Sequence, residues 1–253
     1  MEARVLIVLP VESEKRFMAI SQTGERAGMA HLDNPMHKGG SIFAFLPAHS
    51  GSRTGAVARH LGRTLAEGLG VTVLLADFDQ GAASASLAER AAETSPWPDA
   101  RTWRSCVSEV DSVRVLNARE VKPRPLRRLL DYAREHVHMI CADLSAAGEA
   151  QALEVVRAAD AVFLVTGSDV ASLKGIREKM DWLRSSAPDS VDQCGLLLEH
   201  TPHGVSAAEA EERTGVPVCG FVDSASHVVQ LATWLAVNAL EPRRSIAELA
   251  EAV

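Results

Sequence analysis

The stretch that decides the fold is SIFAFLPAHSGSRTGAVARHLGRTLAEGLGVTVLLADFDQ, residues 41–80. An apolar run over residues 42–46 is followed by a loop of small residues over 48–55. Apolar side chains then recur at i, i+4 and i+8, and a second apolar run, 71–76, ends in the acidic sequence DFD. This order of strand, small-residue loop, helix, strand and carboxylates predicts the opening of a phosphate-binding βαβ unit.

Apolar runs alternate with helix-period segments along the rest of the chain. Further strands are predicted at residues 4–9, 113–117, 138–142, 161–166, 195–198 and 216–220. Further helices are predicted at residues 12–20, 82–92, 125–135, 149–158, 171–184, 206–214, 227–240 and 245–252. Because most of the strands are continuous apolar runs, we expect an α/β fold of three layers, a mostly parallel sheet with helices on both faces.

The domain organisation follows from the same pattern. Residues 41–253 are predicted to form one domain, since this length suits a single large α/β unit. Residues 1–40 are predicted to form a short strand followed by a linker or arm. The sequence HKGGS at 37–41 looks like a phosphate loop, but it precedes a strand instead of following one, so we discount it.

Composition limits the classes of function. The net charge of −7 argues against nucleic acid or an anionic membrane surface as the main partner, since both require a basic face. No apolar run reaches the length of a transmembrane span or of the apolar region of a signal peptide. The four cysteines have no C-x-x-C spacing that would indicate a metal site. These features predict a cytoplasmic protein.

The stretch around the loop resembles the ParA/MinD family of P-loop ATPases, and within it the CpaE/TadZ branch associated with pilus assembly. VTVLLADFDQ looks like the family's strand ending in D-x-D, and HMICADLSAAGEAQALEVVRAADAVFLVTGSDV and GLLLEHTPHGV resemble later strands and helices. The resemblance covers about residues 41–240 and implies a P-loop NTPase fold. The family's K-G-G-x-G-K-[ST] motif, which binds nucleotide phosphates, falls on His49, Ser50, Gly51, Ser52, Arg53, Thr54 and Gly55.

The acidic positions of the family are kept. The resemblance matches Asp77 and Asp79 to the catalytic D-x-D, and Asp143 to the carboxylate that holds a magnesium-bound water. Asp77 and Asp143 are therefore the candidate metal residues. Two interpretations remain open: these carboxylates retain a magnesium role, or they are solvated strand-end residues inherited with the fold.

The cationic positions are not kept. His49 and Thr54 stand where the family has its two lysines, and Gly55 stands where it has the magnesium-binding hydroxyl. A shift of one residue would offer Arg53 as the cation and Thr54 as the hydroxyl, but it breaks the register of the helix, and a planar guanidinium does not replace a compact ammonium directly. At the position of the asparagine near the adenine base, Glu199 cannot donate a hydrogen bond as an amide would.

Three functions are compatible with this pattern. The first is a degenerate ParA/MinD-fold scaffold or localisation factor, CpaE/TadZ-like, with weak or no ATP hydrolysis. The second is an active or slow ATP-dependent dimeric switch that uses Arg53 and Thr54, with ATP or ADP and Mg²⁺ as cofactors. The third is a regulatory partner of a true ATPase that binds no nucleotide. The resemblance implies a homodimer and protein partners of an assembly or localisation system.

Overall fold

The computed structural model describes residues 39–79, 103–104, 106–119 and 121–239, which form an alternating series of strands and helices. The strands are β1 (Ser41–Pro47), β2 (Val73–Asp77), β3 (Val107–Val110), β4 (Val113–Asn117), β5 (Met139–Asp143), β6 (Ala161–Gly167), β7 (Cys194–Glu199) and β8 (Val218–Phe221). The α-helices are α1 (Thr54–Arg63), α2 (Pro123–Arg134), α3 (Glu149–Ala158), α4 (Val170–Ser186), α5 (Ala207–Thr214) and α6 (Ala225–Ala239). A π-helical turn, Thr64–Gly68, continues α1, and a 3-10 helix, Pro188–Gln193, follows α4.

The eight strands of the described part form one sheet in the order β3-β4-β2-β5-β1-β6-β7-β8. All neighbouring pairs are parallel except β3 and β4, which form an antiparallel pair at one edge. The first strand lies in the interior of the sheet, with β5 on one side and β6 on the other. The predicted α/β fold with a mostly parallel sheet is confirmed.

The sheet separates two apolar layers. Ile42, Ala44 and Leu46 of β1 face one layer, and Phe43 and Phe45 face the other, because successive side chains of a strand point to opposite faces. Helices α2 to α5 bury their apolar sides in the first layer. Helices α1 and α6 bury theirs in the second. Burial on both faces explains why the strands have continuous apolar sequences.

Agreement with the predicted elements is best where the apolar pattern is strong. The predicted strand at 113–117 and the helix at 149–158 match β4 and α3 residue for residue, and most other bounds shift by one or two positions. The strand β3 was missed because three of its four residues are exposed, so it has no apolar run that would indicate a strand.

Several predictions fall on residues outside the described part. They are the strand at 4–9, the helices at 12–20, 82–92 and 245–252, and all but the last two residues of the predicted arm. The division into 1–40 and 41–253 stays a prediction. Among the helices that the structure does describe, none combines the length and the apolar character needed to cross a bilayer.

Candidate functional site

The predicted phosphate-binding loop lies between β1 and α1, at the carboxyl ends of the parallel strands. The Ala48 N–H donates to the Val165 carbonyl (3.0 Å), which extends the pairing of β1 with β6 past Pro47. Helix α4 approaches the loop at Gly175, where an added Cβ would lie 2.4 Å from the Ala48 carbonyl oxygen. The start of the loop is therefore fixed by β6 and α4.

The first part of the loop is bonded to itself through His49. The His49 Nδ1 accepts a hydrogen bond from the Gly51 N–H (3.1 Å), and the His49 carbonyl accepts one from the Ser52 N–H (3.2 Å). Two amides that could face an anion thus have partners within the loop, while Ser50 is exposed at its tip. The buried His49 Nε2 has no hydrogen-bond partner among the described residues.

Thr54 stands at the first position of α1, where the ATPase motif has its lysine. Its side chain is fully buried, and its hydroxyl lies 2.8 Å from the Ser52 Oγ, so these two hydroxyls bond to each other. A buried hydroxyl with a partner supplies no positive charge to a phosphate. If Thr54 were to bind a metal ion, its hydroxyl would have to give up the hydrogen bond with Ser52.

Arg53 and Glu199 are brought together from distant parts of the sequence. The Arg53 backbone N–H donates to the Glu199 Oε1 (3.0 Å), and the Arg53 Nε donates to the Oε2 (2.9 Å). Glu199 is the last residue of β7 and only 9% exposed, whereas the Arg53 side chain is 62% exposed. The side chain of Arg53, the residue at the N-cap of α1, makes no capping hydrogen bond. A carboxylate of the chain itself therefore occupies the amino end of α1, where the N–H groups and the helix dipole favour an anion.

The predicted carboxylates separate into a buried pair and one exposed residue. Asp77 and Asp143 end the adjacent strands β2 and β5, in register with each other, and both are buried. The Asp77 Oδ1 accepts a hydrogen bond from the Asp79 N–H (2.8 Å), and the Asp143 Oδ1 accepts one from the Ser145 N–H (3.0 Å). The side chain of Asp79 is exposed, so the structure places it apart from the buried pair.

A third side chain, not predicted from the sequence, joins the buried pair. The Arg59 Nη1 lies 3.4 Å from the Asp77 Oδ2 and 3.8 Å from the Asp143 Oδ2. Burial raises the pKa of Asp143, and the nearby charge of Asp77 raises it further, whereas the Ser145 hydrogen bonds and the positive charge of Arg59 lower it. Burial outweighs the lowering effects, so the pKa of Asp143 stays above its usual value, and the positive charge of Arg59 offsets only a small part of the rise.

The residues present do not fit a magnesium ion in the manner of the ATPase motif. At Gly55 an added Cβ would lie 2.5 Å from the Asp143 Oδ2 and 3.0 Å from the Arg59 Nη2, so a serine or threonine there would require the Asp143 carboxylate to shift and the Arg59 guanidinium to give way. Magnesium requires close octahedral oxygen ligands, and a guanidinium beside both carboxylates opposes a second cation. Within the described residues, no group of three or more His, Cys, Asp or Glu side chains could hold a metal ion.

Sequence reasoning located the loop and the carboxylates but missed the two pairings. Arg53 and Glu199 were each identified as candidates, yet separately, because 146 residues lie between them. A signal for Arg59 did exist. It follows Gly55 by four positions on α1, and residues with that spacing lie on one face of a helix, here the face toward the strand ends.

The fold is similar to those of ATPases of the ParA and MinD type. A ParA family ATPase from Chlorobium tepidum has a TM-score of 0.62 at 15% identity, over 84% of this chain and 98% of that chain. MinD from Pyrococcus horikoshii, solved with Mg-ADP, has a TM-score of 0.52 at 16% identity, over 84% and 94%. Cobyrinic acid a,c-diamide synthase from Mycobacterium smegmatis, solved with ADP and magnesium, has a TM-score of 0.61 at 12% identity, over 81% and 97%.

These likenesses define the class of structure, an α/β P-loop NTPase fold of the ParA/MinD type. No family model matches the sequence, and no curated protein matches it significantly. At identities of 12–16% the agreement lies in the fold, and the chemistry must be argued from the residues of this chain.

Proposed function

We propose that this protein is a binding or scaffold protein with a ParA/MinD-type fold, whose phosphate loop is closed by its own carboxylate and which hydrolyses ATP weakly or not at all. The observation that carries the proposal is the double contact of Glu199 with the backbone and side chain of Arg53. The carboxylate holds the place at the amino end of α1 that a phosphate group would take in a nucleotide-binding loop.

Electrostatics supports this proposal. A triphosphate entering the loop would meet the carboxylates of Glu199, Asp77 and Asp143. The lysine that neutralises the phosphates in the ATPase motif is replaced by Thr54. Like charges repel more strongly in a partly buried site than in water. Displacing Glu199 would also break a charge-assisted contact to Arg53, which stands at the position that the switch hypothesis uses as its cation.

The partner and process belong to the proposal as well. The MinC:MinD complex from Aquifex aeolicus, with a TM-score of 0.59 at 13% identity, shows a protein of this fold bound to a second protein. We infer that this chain likewise works through protein contacts, as a homodimer and with proteins of an assembly or localisation system in the cytoplasm. The CpaE/TadZ resemblance suggests a process like pilus assembly.

The experiment is isothermal titration of the purified chain with ATP and with ADP, with and without magnesium. We expect no binding heat for the wild type at millimolar nucleotide. Glu199→Gln should gain affinity for inorganic phosphate and for ATP, because it removes the internal anion and leaves Arg53 available. The matched control is Glu209→Gln, which removes a glutamate from an exposed contact with Arg213 on α5 and should leave the titration unchanged.

Other results would favour the alternatives. Magnesium-dependent binding of ATP to the wild type at micromolar concentration, lost in Arg53→Ala, would establish the dimeric switch and overturn the scaffold proposal. The fold is shared with solved ADP–magnesium complexes, which is why this outcome must be tested. Absence of binding together with co-purification of an ATPase that carries both motif lysines would favour the regulatory partner.

A further inference from the structure

The buried acidic pair consists of the two residues that the family resemblance assigns to the metal, but in this chain the pair contacts a cation of its own. Asp77 and Asp143 are register partners at the ends of β2 and β5, with side chains 3% and 0% exposed. The Asp143 Oδ2 has no hydrogen-bond partner among the described residues. Two ionised carboxylates side by side and away from water need a compensating positive charge.

Arg59 provides that charge from the face of α1 directed toward the strand ends. Its Nη1 reaches the Oδ2 of Asp77 at 3.4 Å and that of Asp143 at 3.8 Å, although the side chain as a whole is 43% exposed. The guanidinium therefore lies across both carboxylates, close to where a shared divalent ion would have to lie.

The backbone at Gly55 supports the same conclusion independently. The Asp143 Oδ2 and the Arg59 Nη2 both lie within 3.0 Å of the point where a Cβ of residue 55 would be. A residue with a metal-binding hydroxyl at this position would therefore have to displace the carboxylate and the guanidinium. Glycine at this position permits the packing, since any larger residue would push the two groups apart.

We propose that Arg59 is the resident cation of this site, replacing a divalent ion with a side chain that is covalently part of the chain. The single positive charge of the guanidinium offsets part of the negative charge of Asp77 and Asp143 and links α1 to the ends of β2 and β5 without a metal. The inference rests on the proposed function for its biological meaning, since a site with a permanent cation suits a protein that does not cycle through metal–nucleotide states. Its test, however, uses no nucleotide.

The experiment measures Mn²⁺ binding by electron paramagnetic resonance and Mg²⁺-dependent thermal shift on the full chain. The wild type should show neither. Arg59→Gln should bind Mn²⁺ at least about tenfold more tightly than the wild type, because the competing cation is gone while both carboxylates remain. It should also have a lower Tm at neutral pH, and Mn²⁺ should restore part of the difference.

Three further variants test whether the gain of Mn²⁺ binding is due to the loss of the Arg59 charge beside the two carboxylates. Arg63→Ala, one turn further along α1, removes an exposed arginine paired with Asp111 and should bind no Mn²⁺. Arg59→Lys keeps the charge and should behave like the wild type, which provides a readout if Arg59→Gln fails to fold. The double variant Arg59→Gln with Asp143→Asn should lose the gained Mn²⁺ binding.

The results separate this inference from the proposed function. Divalent ions that bind the wild type at the same affinity as Arg59→Gln would overturn the role of Arg59, and so would an Arg59→Lys variant that gains Mn²⁺. Binding of ATP to the wild type without a metal would overturn the proposed function but leave Arg59 as the resident cation.

Discussion

Helices α1 and α4 begin at equivalent points of the fold but are capped in different ways. Each follows a parallel strand of the sheet interior, β1 and β6, and these strands are neighbours. At α4 the cap is local: the Asp169 Oδ1 accepts a hydrogen bond from the Ser172 N–H (2.9 Å), and its Oδ2 accepts one from the Ser172 hydroxyl (2.6 Å). At α1 the carboxylate comes from Glu199, on another strand.

The comparison shows that the free N–H groups at the amino end of a helix can be bonded either by a neighbouring residue or by a distant one. A helix with its own capping residue satisfies one of its free N–H groups locally, as soon as the helix forms. At α1 the N-cap residue makes no such hydrogen bond, so the amino end of this helix is bonded by a group from another part of the chain. In phosphate-binding loops that group is a phosphate, whereas in this chain the Glu199 carboxylate makes the contact.

The largest effect should come from separating α4 from the phosphate loop. Gly175→Val would place a side chain 2.4 Å from the Ala48 carbonyl oxygen, so backbone must move. We expect a loss of about 3 kcal/mol in the free energy of unfolding, measured by urea denaturation. Gly68→Ala is the control, because its Cβ would contact nothing, and it should be neutral or slightly stabilising. Similar stability of both variants would show that α4 does not fix the loop.

The next effect should come from the distant cap of α1. Glu199→Ala removes both contacts to Arg53, and we expect a loss of about 2 kcal/mol, as for hydrogen bonds to charged groups. A double-mutant cycle with Arg53→Ala isolates the side-chain part, since the backbone N–H remains in both arginine backgrounds. A coupling energy of zero, with unchanged stability of Glu199→Ala, would mean that Glu199 does not hold the loop in solution.

The local cap of α4 should contribute less. Asp169→Ala should cost about 1 kcal/mol, the usual value for an N-cap. Hydrogen bonds from Ser172 lower the pKa of Asp169, so its stabilising contribution is complete at neutral pH. Because the folded-state pKa lies below that of the unfolded chain, the contribution declines as the pH falls below about 4. Unfolding curves at pH 7 and pH 3 should therefore differ less between wild type and variant at the lower pH.

The smallest effect should come from an exposed ion pair that caps neither α1 nor α4. Glu209 and Arg213 lie one turn apart on α5, and both side chains are more than 40% exposed. Arg213→Ala should change the free energy of unfolding by only about 0.3–0.5 kcal/mol, and less at high salt. If Arg213→Ala lowered the free energy of unfolding as much as Glu199→Ala, the contact between Glu199 and Arg53 would be no stronger than an ordinary surface ion pair.

The fold was predictable because its signal is local. Strands that are buried on both faces have continuous apolar sequences, and helices such as α4 show their buried face as Leu173, Ile176, Met180 and Leu183 at helical spacing. The exposed strand β3 carries no such signal. The place of the predicted phosphate loop between β1 and α1 followed from the order of an apolar run, a small-residue loop and a helix-period segment.

The chemistry of the site was only partly predictable. Asp77 and Asp143 could be placed together because carboxyl ends of parallel strands share one edge of the sheet. The contact of Glu199 with Arg53 depends on how α1 lies over that edge, which no local pattern encodes. The spacing of Arg59 from Gly55 gives only the face of α1 on which Arg59 lies, and not its distance from the aspartates. Asp79 was grouped with Asp77 by its motif, but it follows the end of the strand and its side chain is exposed.

The edges of the sheet have a consequence for how two copies of the chain could pair. Among the described strands, β3 forms one edge, with four residues of which Glu109 is charged and exposed, and β8 forms the other, with four residues and an irregular register. Short, charged or irregular edges offer few free backbone groups to an added strand. We therefore expect a homodimer to join through side chains on a face of the molecule, and two sheets not to merge into one.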